Sequence, residues 1–226
     1  MNPRFVLLQE TDEFHPRWAI NRDVGQEAER MIHGVVERLK EGGKTVQEPL
    51  LHTMLAAEAH GAGLSAKAYS AYLASAKIIQ KNPYGEYGLA SWPTVCPRGI
   101  KDKAYAALVT AGTPMHFRDV AGAIDRAGWS GRKKAHPQTV HNELIKDQRF
   151  ILVGRGMYAL EDWGYEPGTV RDILVSVLKK AQNPLAKEEL IRLTSERRMV
   201  KPQTILLNLQ DRKHFKRDDT GNYTLV

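Results

Sequence analysis

Cysteine is almost absent: Cys96 is the only one in 226 residues. A single thiol excludes an internal disulfide framework and a zinc knuckle, and it fits a reducing compartment. Long apolar runs are missing too. No stretch reaches the roughly 18 apolar residues a membrane span needs, and no signal-peptide pattern opens the chain. A cytoplasmic protein with no membrane partner is therefore expected. Catalytic signatures are equally scarce. The eight histidines include no HExxH pair, and no Ser-His-Asp or paired-carboxylate arrangement is visible. Gly43-Lys44-Thr45 looks like the end of a phosphate loop, but that pattern needs glycine where Arg38 stands, and the segment follows a helical pattern rather than a strand. No enzymatic activity, cofactor, metal or small-molecule substrate is expected.

What the chain has instead is repetition. Residues 136–160, HPQTVHNELIKDQRFILVGRGMYAL, align without a gap on 201–225, KPQTILLNLQDRKHFKRDDTGNYTL, with eight of 25 positions identical. Residues 65–92 align on 136–163. Four columns are identical in all three copies: Leu73/Leu144/Leu209, Gly85/Gly156/Gly221, Tyr87/Tyr158/Tyr223 and Leu89/Leu160/Leu225. A fixed period means one supersecondary unit used several times. Copies of about 60–70 residues are small domains rather than solenoid rungs.

The middle copy shows what the unit is. Gly99–Thr113 holds an Ala-rich helical run ended by Gly112. Thr113-Pro114 then opens a second helix, with Phe117, Val120 and Ile124 at helical spacing. A basic loop, GWSGRKK, follows. Pro137 starts a third helix, where its missing N–H costs nothing, and Val140 and Leu144 lie four apart on one face. Phe150–Val153 and Met157–Leu160 read as strands around a Gly154-Arg155-Gly156 turn. His116 reads as a helix-start residue. The third copy repeats the order with VRDILVSVLKKA, KEELIRLTSE, PQTILLNLQD and the hairpin HFKRDDTGNYTLV. The first copy is the most divergent, with QEAERMIHGVVERLKEG, EPLLHTMLAAEAH and SAKAYSAYLASA, the last capped by Ser65.

The expected fold is mainly α, of α+β type: three tandem winged helix-turn-helix domains, each three helices plus a β-hairpin. They span 21–92, 93–163 and 164–226. Residues 1–20 are an ordered N-terminal arm or a remnant wing hairpin, because Phe5–Leu8 and Trp18–Ile20 resemble Phe150–Val153 and Tyr158–Leu160. In the second case the chain would be the C-terminal part of something larger. Trp92 and Trp163 each end a wing and start a connector, and are expected as core rather than ligand contacts.

Charge separates the copies. The net charge of +7 is −1 over residues 1–95, +4 over 96–165 and +4 over 166–226. A basic surface suits a polyanion. In a DNA-reading helix-turn-helix the recognition helix lies in the major groove. The side of the third helix opposite Val140 and Leu144 carries Gln138, Asn142 and Lys146, flanked by Thr139 and His141. Gln and Asn can bond adenine bidentately, and Lys can take guanine or phosphate. Arg132, Lys133 and Lys134 precede this helix, and Arg155 tips the hairpin; all four suit phosphates or a minor groove. Glu143 and Asp147 on the same helix favour the plainer reading of a solvated face. In the third copy the outward positions are Gln203, Leu207 and Asp211, which suit a protein partner better than a base edge, and Asp218-Asp219 at its wing would repel phosphate. The first copy offers only Lys67, Ala71 and Ser75.

GIKDKAYAALVTAGTPMHFRDVAGAI followed by HPQTVHNELIKDQRFILVGRGMYALEDWGY resembles the HARE-type winged helix-turn-helix family. The phrases PMHFRDVA, TVHNELIKDQRF and GRGMYAL carry the likeness, which covers 99–163 well and 168–226 weakly. Such a domain occurs in the delta subunit of bacterial RNA polymerase. The stretches KNPYGEYGLASWP and DWGYEPGTV also look like bacterial sigma-factor-like proteins, although no sigma-type segment is evident. The resemblance implies a nucleoid-associated, non-enzymatic regulator that binds double-stranded DNA, RNA polymerase, or both. It supplies no catalytic residues. The leading expectation is DNA reading by the middle copy; the rival is a polymerase-binding adaptor that never reads DNA.

Overall fold

The computed structural model describes residues 5–59, 64–131 and 133–226. They form α-helices and small antiparallel sheets, a mixed α/β architecture. The chain divides into two compact units, Met1–Ala106 and Ala107–Val226, with the division inside one helix.

In the first unit, β1 (Val6–Leu8) pairs with β2 (Arg17–Ala19). Then follow α1 (Arg22–Gly42), α2 (Glu48–Glu58), α3 (Ala66–Ser75), β3 (Ile79–Lys81) and β4 (Tyr87–Leu89). α1 starts four residues earlier than the apolar pattern predicts. The cause is Asn21, whose side chain accepts from Val24 N and so holds an orphan donor of the first turn. Ser65 caps α3 as expected, accepting from Ala68 N. One core gathers Met31, Ile32, Val35 and Leu39 of α1, Leu51 and Leu55 of α2, Leu73 of α3, and Ile79 and Leu89 of the hairpin. α4 (Gly99–Ala111) runs across the division.

In the second unit come β5 (Met115–His116), α5 (Phe117–Arg126), α6 (Pro137–Lys146), β6 (Phe150–Gly154) and β7 (Met157–Leu160). They are followed by α7 (Val170–Ala181), α8 (Lys187–Arg197), α9 (Pro202–Leu209), β8 (Phe215–Arg217) and β9 (Tyr223–Leu225). The sequence predicts a helix start at Thr113-Pro114; the helix instead starts at Phe117. Met115 and His116 form a short strand paired with β7, and the His116 ring then caps α5 by accepting from Arg118 N. α7 carries a full capping box between Thr169 and Asp172. Ile173, Leu174, Val177, Leu190, Ile205, Leu209 and Phe215 make the core beneath α7, α8 and α9.

Three of the four identical columns now have physical roles. Leu73, Leu144 and Leu209 are all buried on the third helix of their copies. Gly85, Gly156 and Gly221 all adopt positive φ, at 85°, 67° and 90°, in the turn of the hairpin, a region glycine enters without strain. The tyrosines sit at one register: Tyr87 opposite Lys81, Tyr158 opposite Leu152, Tyr223 opposite Arg217. Each tyrosine also pairs backward with the residue ahead of the second helix, namely Val46, Met115 and Leu185. This third, minimal strand recurs in every copy, and sequence patterning missed it. The residue ending the first helix recurs as well: Gly43, Gly112 and Gln182 are all left-handed, with φ of 62°, 64° and 56°. Gln182 is the one non-glycine residue in that conformation among the described residues.

The N-terminal hairpin keeps the same register, with Val6 opposite Ala19 and Leu7 opposite Trp18. The face whose counterparts are buried elsewhere, at Phe150, Tyr158 and Leu160, here carries Phe5, Trp18 and Ile20 exposed at 62%, 70% and 62%.

Candidate nucleic-acid interface

The middle copy builds its candidate surface from α6, the loop before it and the β6–β7 turn. Pro137 occupies the first turn of α6, and Val140 and Leu144 anchor the helix in the interior. That fixes which side faces water. Gln138, Thr139, Asn142 and Lys146 are exposed. Gln138 Nε2 donates to Asn142 Oδ1 at 3.2 Å, one turn along the helix, so the two amides form a pre-aligned pair. Lys146 lies 3.4 Å from Glu143 Oε1, a weak exposed ion pair.

His141 borders the open face, its Nδ1 3.4 Å from Gln138 Nε2, with its ring turned inward. Its ring stacks on Phe117 at 4.6 Å between centroids and meets Tyr158 edge-on at 5.8 Å. The His116 ring also meets Phe117, at 4.4 Å between centroids. The rings bind α5, α6 and β7 together, so His141 is half-buried and holds the helix against the hairpin. Burial pushes the Tyr158 hydroxyl pKa upward, because the phenolate would be desolvated. Gly156 closes against the same rings: a Cβ there would sit 2.6 Å from His116 Nε2. Glycine is therefore needed both for the backbone and for the space.

The basic loop is anchored by a residue that sequence reading passed over. Asp125, at the end of α5, accepts from Ser130 Oγ and from Ala135 N at 2.7 Å. The Ala135 N–H first, then the Ser130 hydroxyl, hold its carboxyl below the usual carboxylate range, with Lys134 adding attraction. Ser130 and Ala135, before and after the lysines, are thus both tied to Asp125, and Lys133 and Lys134 stand exposed. The signal was readable in principle, as an acid one turn from a Gly-containing basic loop. Arg132 lies outside the described residues. Arg155 is exposed in the β6–β7 turn.

The third copy differs. Gln203 is exposed, and Leu207 is exposed at 66%. Asp211 is engaged locally: it accepts from Lys213 N at 3.1 Å and pairs with His214 Nδ1 at 2.9 Å, with Arg171 3.8 Å away. The Lys213 N–H first, then His214, keep its pKa low. Asp211 fastens the turn after α9 and belongs to that turn more than to an open surface. Asp218 likewise folds its own turn, accepting from Thr220, Asn222 and the Thr220 hydroxyl.

Among the described residues, no group of three His, Cys, Asp or Glu could hold a metal ion, and no helix is long and apolar enough to cross a membrane. No protein-family model matches the chain, and no curated protein matches it.

Proposed function

We propose that the chain is a non-enzymatic, DNA-binding transcription regulator. It is built of three tandem winged helix-turn-helix domains, 21–92, 93–163 and 164–226, and it works with bacterial RNA polymerase. Duplex DNA is read by the middle domain, with α6 in the major groove. The observation that carries this reading is the exposed Gln138–Asn142 amide pair beside Lys146, on a helix locked from behind by Val140, Leu144 and the His141 ring stack. Two adjacent amides offer the donor–acceptor pattern that adenine N6 and N7 require. Lys133, Lys134 and Arg155 supply the sequence-independent phosphate attraction. Thr139 borders the reading face, and Arg132 belongs to the same basic loop by sequence.

A second reading, an adaptor that binds polymerase without touching DNA, is favoured by Leu207, a large apolar side chain held in water on α9 next to Gln203. Mutation of the basic loop separates the two. In the full chain, Lys133→Ala with Lys134→Ala should lower the log–log salt slope of duplex binding by about 0.9 per lost phosphate contact. An unchanged slope and affinity would remove the loop from the interface.

A further inference from the structure

The wing of the middle copy does not end in open solvent on all sides. Within the second unit a cleft of about 500 Å3 lies between the β6–β7 turn and the loop joining α8 to α9. Gly154, Arg155 and Met157 line it from one side, and Ser195, Arg198, Met199, Val200 and Lys201 from the other. The two walls are joined: Arg198 Nη1 donates to the Leu152 carbonyl at 2.9 Å. A Cβ on Gly154 would lie 3.4 Å from the Met199 carbonyl, so the two walls stand at ordinary contact distance.

The charge of this cleft is one-sided. Arg155, Arg198 and Lys201 are its ionisable lining, and among the described residues no carboxylate lines it. The acids that could have answered them are engaged. Glu166 accepts from Lys180 at 2.9 Å and from Ser176 at 3.1 Å, and it pairs with Arg197. Asp172 closes the capping box with Thr169. Arg198 is also partly desolvated, which lowers its pKa from the ordinary arginine value, with Asp172 opposing. A partly buried cation bonded to a neutral carbonyl, with two more cations around the same space, is a site short of an anion. Arginine presents a planar fork suited to phosphate oxygens.

We infer that this cleft takes a backbone phosphate of duplex DNA, so that the second and third copies grip one strand together. The inference rests on the DNA reading proposed for α6, and it extends that footprint through Arg155. It gives the third copy a part in binding that its outward α9 positions do not offer: positioning without base readout.

The test uses the full chain and a fluorescein-labelled mixed-sequence duplex, titrated at several salt concentrations. Lys201→Ala should lower the log–log salt slope by about 0.9. Met199→Glu puts a carboxylate into the cleft and should weaken binding by roughly tenfold or more, as expected for repelling rather than attracting a phosphate. Met199 is 45% exposed, so the core is untouched. Met199→Lys should tighten binding and steepen the slope by about 0.9, a gain that misfolding cannot produce. Wild-type affinity and slope in all three variants would overturn the cleft assignment. If those variants match wild type while the Lys133/Lys134 double variant binds more weakly, the cleft fails and the α6 reading stands. Absence of duplex binding by the wild-type chain would overturn both.

Discussion

Asn142→Ala is the sharpest perturbation of the proposed reading helix. The side chain is exposed, and alanine is the better helix former, so α6 should fold at least as well in the variant. In the free protein Asn142 Oδ1 accepts from Gln138 Nε2 at 3.2 Å. An exposed pair one turn apart is worth only about 0.2–0.5 kcal/mol, so releasing it for a base costs little. A bidentate amide–adenine contact is worth about 1–3 kcal/mol of discrimination. The net loss should be about 0.5–2.8 kcal/mol, roughly a 2- to 100-fold weakening on the preferred site. That site is obtained by selecting bound duplexes from a random library with the wild-type chain. Fluorescence anisotropy then compares the selected duplex with a scrambled one. The variant should lose affinity for the first and keep it for the second, because phosphate contacts do not depend on Asn142. Equal losses on both duplexes, or none on either, would refute base reading by this face.

Three further outcomes follow from local geometry. Gly156→Ala combines left-handed strain with a Cβ 2.6 Å from His116 Nε2, in a ring stack that leaves little room to shift; it should cost about 2–4 kcal/mol in denaturant unfolding. The equivalent Gly85→Ala meets only the end of Lys81, at 3.9 Å, and should cost about 1–2 kcal/mol; similar losses at both sites would contradict the packing account. Gln182→Gly relieves a φ of 56° at the end of α7 and should stabilise the protein by about 0.5–1 kcal/mol, whereas Gln182→Ala should not. The Asp125 carboxyl has a folded pKa below its unfolded one, so its hold on the basic loop is present above the ordinary carboxylate range and lost as pH falls through the depressed folded value. Acid-stable protease digestion should therefore find the 128–135 loop protected at pH 5 and cut only once the pH has fallen below the ordinary carboxylate range, while Asp125→Ala leaves it susceptible throughout; protection that persists in the variant would show that the loop is held by something else.

Much of the fold can be read from the sequence because its elements are long enough to express a period. Val140 and Leu144 announce α6, Ser65 announces the start of α3, and the Gly-x-Tyr-x-Leu phrase fixes hairpin register in three places. The strand at Met115–His116 could not be read the same way. Two residues cannot show alternation, and the preceding Thr113-Pro114 imitates a helix start. Asn21 gives no such sign because it stands five residues ahead of Gln26, where the apolar pattern begins, and not directly before it. The candidate site was legible only as far as a helical wheel reaches. Projection around α6 predicts Gln138, Asn142 and Lys146 as exposed, and they are. It cannot foresee that Phe117, from another helix, draws His141 into a stack, or that Asp211 bends back to its own turn. The cleft beside Arg155 is invisible in the sequence because its walls come from positions 38 to 47 residues apart.

The most direct test of the central claim is a salt titration of the wild-type chain against labelled mixed-sequence duplex. Lys133, Lys134 and Arg155 alone predict at least three phosphate contacts, and so a log–log slope of about −2.7 or steeper. A flat slope, or no binding at low salt, would contradict DNA binding and leave the adaptor reading in its place.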